Sequence, residues 1–204
     1  MRSISTFAIA LTLAGVPACT LANQPSSQQK EDEVVFAKAE KTDETRLQPR
    51  VYLSADRLQA GQTQRFAIVI DIAPGWHINT NIPRPSYVIP TSVKVKSPHQ
   101  VEIGKIAFPE GKTLQIAGAE EPLLVYGGRV IFFGDLKVPE KIAGQSEELE
   151  FALKYQLCND RQCLAPKTVK LKGKVPVVEA NAPVRKVNSE LFEKDPRREE
   201  KSRP

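Results

Sequence analysis

The chain has 204 residues, 41% of them hydrophobic and 26% charged, with a formal charge of +5 from 29 Lys and Arg against 24 Asp and Glu. Acids and bases are interspersed and no basic stripe alternates with aromatic side chains, which argues against nucleic-acid binding. The mild basicity reads as a solvated surface, with a weak attraction to an anionic membrane as the second reading.

Residues 1–22 read as an export signal: Arg2 is followed by the apolar run Phe7 to Val16, of signal-peptide length and too short to span a bilayer. Two processing sites fit. Thr20-Leu21-Ala22 offers small residues for ordinary cleavage, while Val16-Pro17-Ala18-Cys19 resembles a bacterial lipobox, in which Cys19 becomes the lipidated N-terminus. Either route puts the mature protein in the periplasm or cell envelope, where disulfides persist. No later stretch approaches the roughly 18 apolar residues of a membrane span, so this chain is not expected to carry electrons across a membrane by itself.

Residues 23–46 are rich in Gln, Ser, Lys and Glu and predict a flexible linker, with an r.m.s. span of roughly 25–30 Å. A domain at 47–180 follows. Its patterning is β: Val51 to Ala55 alternates, Arg65 to Asp71 can place Phe66, Ile68 and Ile70 on one face, and Thr91 to Lys96 alternates again. Arg129 to Val138 and Glu148 to Leu157 are the strongest strands, the latter aiming Leu149, Phe151, Leu153, Tyr155 and Leu157 one way. Lys167 to Val175 closes the set with Val169 and Leu171 inward. Turn signals recur at Ala60-Gly61, Pro74-Gly75, Pro109-Glu110-Gly111, Gly127-Gly128 and Ala143-Gly144, and the whole predicts an all-β sandwich. Residues 181–204 predict a polar, disordered tail, with a helical turn at Ser189 to Lys194 capped by Ser189.

Once the leader is set aside, Cys158 and Cys163 are the remaining cysteines, in Tyr155-Gln-Leu-Cys-Asn-Asp-Arg-Gln-Cys-Leu-Ala-Pro166. The strand ending at Leu157, turn residues Asn159-Asp160 and a strand from Ala165 onward put them on either side of a hairpin loop. Opposed residues of an antiparallel pair lie about 4.5–5.5 Å apart in Cα, within the disulfide range of about 4.4–6.8 Å. Three roles stay open: structural staple, electron carrier and metal site. A loop of about six residues gives a staple only roughly 2 kcal/mol. An exposed pair suits exchange, since thiolate attack needs a reachable sulfur. Arg161, Lys154 and Lys167 would lower a thiol pKa and Asp160 would oppose them, so the net shift has no sign from sequence. Two thiolates need further ligands for zinc, and the histidines are His77 and His99. Val125-Tyr-Gly-Gly-Arg-Val130 suits a hairpin turn better than a phosphate cradle, and nothing implies a cofactor.

Three segments appear in the order and rough spacing of one family: Asp71-Ile-Ala-Pro-Gly-Trp-His-Ile78, Val125 to Val130 and Tyr155 to Pro166. Over roughly residues 47–177 the chain resembles the N-terminal periplasmic domain of the thiol:disulfide interchange protein DsbD, the disulfide-bond-corrector domain family. The resemblance implies an immunoglobulin-like sandwich whose two cysteines cycle between disulfide and dithiol. It implies that Cys163 forms the mixed disulfide with partners and that Cys158 resolves it. It further implies a cap loop over the pair, matching Ala117 to Tyr126, with Glu120, Glu121, Leu123, Leu124 and Tyr126 as candidates. Trp76, His77 and Asn79 are candidate neighbours of the pair. This chain departs in having one residue fewer between the cysteines, in His77 and Asn79 where the family has tyrosines, and in Pro122, Leu123 or Leu124 where the family has a cap phenylalanine.

The expected function is thiol–disulfide exchange, as a protein-disulfide reductase component that relays electrons. The donor would be a separate thioredoxin-like or membrane thiol reductase protein, and the acceptor an oxidised periplasmic protein. The alternative is a non-catalytic immunoglobulin-like binding or scaffolding module with a structural hairpin disulfide.

Overall fold

Runs of β-branched and aromatic residues become strands in the computed structural model, which describes residues 33–39, 45–116 and 120–197. In chain order the strands are β1 (Ala37–Lys38), β2 (Leu47–Leu53), β3 (Leu58–Gln59), β4 (Thr63–Ile72), β5 (His77–Asn79), β6 (Ser92–Lys96) and β7 (Glu102–Ile103). Then come β8 (Lys112–Leu114), β9 (Leu123–Tyr126), β10 (Arg129–Lys137), β11 (Ser146–Tyr155), β12 (Leu157–Cys158) and β13 (Lys167–Val178), followed by the short helix α1 (Ser189–Glu193).

Two sheets form an immunoglobulin-like sandwich. One has the order β1-β2-β4-β10-β7 and is antiparallel throughout. The other has the order β3-β13-β11-β6, antiparallel except where β3 joins β13. Alternation fills the space between them: Leu149, Phe151, Leu153, Tyr155, Leu157, Val169 and Leu171 are all buried. Phe66 of β4 meets Phe151 of β11 with ring centroids 5.1 Å apart. The Phe66 ring also lies over Gly134, where a Cβ would come within 2.2 Å of its Cζ; a larger residue there would force the ring from its place against Phe151.

In β4, Phe66, Ile68 and Ile70 are buried, but so are Ala67 and Val69. The outer face has its own cover: Phe192 of α1, 1% exposed, packs on Ala67 and Phe133. Residues 181–197 are therefore docked, contrary to the disordered tail expected from composition. The Asn188 side chain accepts from Val34 N at 2.8 Å and donates to Leu53 O at 2.9 Å. Buried Asp195 holds Arg197, which also donates to Asp135 at 3.0 Å. Composition hid this because a few residues carry all of it. The helical turn is present, but Asn188, with φ 58°, precedes it in place of a Ser189 cap. Part of the expected linker is likewise ordered: β1 pairs with β2, and Phe36 packs edge-on against Phe151. The leader with Cys19, residues 23–32 and 40–44, the first three residues of the expected cap loop (117–119), and residues 198–204 lie outside the described residues.

Three connections at one end of the sandwich build a third sheet, ordered β12-β5-β9-β8. The chain passes from β4 to β5 through Pro74-Gly75, from β9 to β10 through Gly127-Gly128, and from β11 to β12 at Gln156. The Val125 to Val130 segment is thus a corner, not the expected hairpin, because β9 and β10 belong to different sheets. Gly128 turns it with φ +70°, and its carbonyl accepts from Ile72 N at 2.9 Å.

Candidate redox site

The third sheet carries the cysteines. Cys158 ends β12 and faces Cys163 across an antiparallel bridge, with Sγ atoms bonded at 2.05 Å and Cα atoms 4.0 Å apart. That separation is shorter than the antiparallel spacing predicted. The expected hairpin of long strands also needs correction. β11 ends at Tyr155, the chain changes sheet, and β13 begins only at Lys167, so the pair sits on a tight turn beyond both. Asn159 supplies the turn chemistry: its Oδ1 accepts from the backbone N–H of Arg161 and of Gln162, each at 2.9 Å. Leu164 N donates to Leu157 O at 2.9 Å, and Gln156 Nε2 donates to Leu164 O at 3.1 Å.

Exposure divides the pair. Cys158 is 2% exposed, under the turn, whereas Cys163 is exposed at the surface. Arg161, Lys154 and Lys167 are exposed as well.

β5 forms the wall beside Cys158. His77-Ile78-Asn79 alternates, so Ile78 enters the core with its ladder partners Leu157 and Tyr126, and His77 and Asn79 take the other face. His77 is the ladder partner of Cys158, and cross-strand partners share a face of the sheet with Cβ atoms about 4.5–5.5 Å apart. The imidazole is 5% exposed, and its Nε2 is buried with no hydrogen-bond partner. Burial holds its pKa below the ordinary 6.5, with the nearby Asp160 carboxylate pulling the other way. Continuing the β5–β9 register brings Gly127, without a side chain, to the other side of His77.

The other predicted neighbours have partners of their own. Trp76 packs against the main core, with the Arg46 guanidinium 4.8 Å from its ring centroid. Asn79 is buried and donates to Ile89 O at 2.9 Å, and its own carbonyl accepts from Thr91 Oγ1 at 2.6 Å, which ties down the segment between them. The expected cap loop is partly a strand, since Leu123 to Tyr126 is β9. Tyr126 is a correction: it is 2% exposed, its ring is 5.5 Å from that of Phe132, and its phenol donates to Asn81 Oδ1 at 2.6 Å. It anchors the core side of the sheet, and burial raises its pKa. The pleat puts Leu124 on that side too. Leu123 shares the cysteine side with Val125, and Glu120 and Glu121 are exposed just before it. His99 is bound to Glu147 near the start of β11, remote from the cysteines. Sequence reading missed β5 as a strand and missed the approach of Asp160 to His77; the polar–apolar–polar alternation after Gly75 was the available signal.

The sequence pattern of the family described as thiol:disulfide interchange protein DsbD, N-terminal, matches residues 43–174. No curated protein matches the chain. Among solved structures, the N-terminal periplasmic domain of ScsB from Proteus mirabilis superposes with a TM-score of 0.51 at 16% identity. That superposition covers 74% of this chain and 53% of the ScsB chain, so this chain spans about half of that structure's length. The reduced DsbD N-terminal domain of Neisseria meningitidis gives 0.42 at 13% identity, covering 72% of this chain and 95% of that one. The GAE domain of GGA2p from Saccharomyces cerevisiae gives 0.39 at 9% identity, covering 68% and 96%. The fold likeness rests on the first of these.

Proposed function

The chain belongs to the family of the N-terminal region of thiol:disulfide interchange protein DsbD, and from that membership we propose that it is an extracytoplasmic thiol–disulfide exchange module acting through Cys158 and Cys163. The observation that carries the reading is the unequal exposure of two bonded sulfurs, one at the surface and one 2% exposed. An incoming thiolate needs an open sulfur and a leaving sulfur behind it, and the pair offers that arrangement.

In the dithiol form, the Cys163 thiolate attacks a partner disulfide. A mixed disulfide forms, and the partner's other sulfur leaves as a thiolate that takes up a proton. Cys158 then attacks Cys163 Sγ, the Cys158–Cys163 bond forms, and the partner's second sulfur departs. The partner gains two electrons and two protons. Re-reduction is the reverse, with a donor thiolate attacking Cys163 and Cys158 leaving. The donor is a separate thioredoxin-like or membrane thiol reductase protein, and the acceptor an oxidised periplasmic protein. Leu123 lies on the cysteine side of the small sheet, Glu120 and Glu121 are exposed just before it in the chain, and all three are candidates to touch either one. Residues 1–22 act as the leader, and lipidation at Cys19 would hold the domain at the membrane; mass spectrometry of the mature N-terminus separates the tethered from the released form.

Trapping tests the reading. A Cys158→Ala variant is expected to accumulate a mixed disulfide through Cys163, visible on non-reducing gels and lost on reduction. Failure to capture any partner, with the wild-type pair staying oxidised in cells that have a working reductase, would overturn it.

A further inference from the structure

We propose that His77 is the acid–base residue of the buried sulfur: it takes the Cys158 thiol proton when Cys158 attacks the mixed disulfide, and returns it when Cys158 is released. The inference rests on the exchange function proposed above and adds to it a named proton carrier.

Position comes first. His77 is the ladder partner of Cys158 and lies on the same side of the small sheet. The imidazole is nearly closed off from water, so a proton leaving the 2%-exposed Cys158 has a neighbour before it has solvent. Chemistry comes second. His77 Nε2 is buried without a partner, which native proteins rarely tolerate because it weakens the fold. The disulfide sulfur carries no hydrogen, so it has nothing to donate to that nitrogen. A Cys158 thiol would have: S–H is a donor, and a neutral imidazole with its proton on Nδ1 presents Nε2 as an acceptor. The orphan in the oxidised state thus acquires a partner in the reduced one. The charged environment suits a base. Asp160 is the group whose charge acts on the ring, and the adjoining β9 row brings only Gly127. Burial keeps the imidazole neutral near pH 7, the form that can accept a proton.

The step balances. The Cys158 S–H proton moves to Nε2, and the Cys158 sulfur supplies the electron pair of the new bond to Cys163. The partner thiolate leaves with the electrons of the old bond, and the imidazolium releases its proton to that thiolate or to water. Without the imidazole, Cys158 must ionise unaided, and even a solvated thiol does so only at about pH 8.5.

The experiment uses the reduced full chain carrying Cys19→Ser, which leaves Cys158 and Cys163 as its thiols, and dithio-bis-nitrobenzoate, whose departing thiolate is coloured. The first release reports attack by Cys163 and the second reports resolution by Cys158. In the wild type the second phase is expected to be flat above about pH 6.5 and to fall below it, following an imidazole. In His77→Gln the second phase is expected to be about 100-fold slower near pH 7, to climb with pH towards about 8.5, and there to approach the wild type, while the first phase stays within about twofold at every pH. A second phase that is unchanged, or slowed equally at all pH values, overturns the proposal, as does equal slowing of both phases. Should His77→Gln not fold, the wild-type profile decides alone: an inflection near about pH 8.5 overturns it. A wild-type protein that releases no second thiolate would defeat the exchange function itself, a different outcome from the loss of His77's role.

Discussion

The two histidines of the chain stand by different sheets, His99 near the start of β11 and His77 in the small sheet that follows the other end of β11, and their surroundings treat them differently. Near the start of β11, Glu147 is fully buried, and its carboxylate accepts from Ser97 Oγ at 2.5 Å and meets His99 Nδ1 at 2.6 Å. The Ser97 hydroxyl in turn accepts from Val101 N at 2.8 Å. Every link there has a partner, and the cluster closes a corner of the sandwich. Beyond the other end, His77 is more deeply buried than His99 and leaves a ring nitrogen unpaired beside a disulfide. β11 is ten residues long, about 33 Å at strand rise, so the two clusters can be altered independently. The contrast teaches that a satisfied histidine holds structure, while an unsatisfied one next to reactive sulfur marks where chemistry changes the hydrogen-bond count.

The comparison is broken most forcefully at the sulfurs. Cys163→Ala should abolish exchange with a model disulfide, whereas Cys158→Ala should keep the first attack and stall in the mixed disulfide; colour release counted per chain distinguishes the two. Next come the histidines themselves. His99→Gln should leave both phases of release within about twofold of wild type, against the roughly 100-fold loss in the second phase for His77→Gln. Third, Glu147→Ala should lower unfolding stability by about 2 kcal/mol, the scale of hydrogen bonds to a charged group. Urea denaturation measures this, and exchange rates should not move.

The smallest effect is in pH. The folded-state pKa of His77 lies below its unfolded value, so between those two values the unfolded chain binds the extra proton and stability rises with pH. Its contribution is therefore complete above about pH 6.5, falls as pH drops towards the folded pKa, and falls no further below it. Urea midpoints of the oxidised protein across that window should show this component in the wild type and lack it in His77→Gln.

Much of the sandwich was legible because its strands are long and half-buried. Leu149 to Leu157 alternate without a break, and each of those side chains lands where period two puts it. The small sheet was hard to read for the converse reason. β5 has three residues and β12 two, too few for a period, and they are recruited by corners at Gly75, Gln156 and Gly128. Only tertiary pairing shows that His77 faces Cys158. Val125 to Val130 has the residues of a hairpin, yet its flanking strands join different sheets. The C-terminal segment misled through composition: its charges are numerous, but Phe192 and the Asn188 and Asp195 side chains settle where it goes.

The central claim, that Cys158 and Cys163 exchange electrons and do not merely pin a turn, is tested most directly by the reduction potential of the purified domain, equilibrated against a defined thiol–disulfide buffer. With one sulfur open to solvent, the account predicts a value above about −300 mV, within reach of cellular dithiol donors; a value clearly below that would mark a structural disulfide and contradict it.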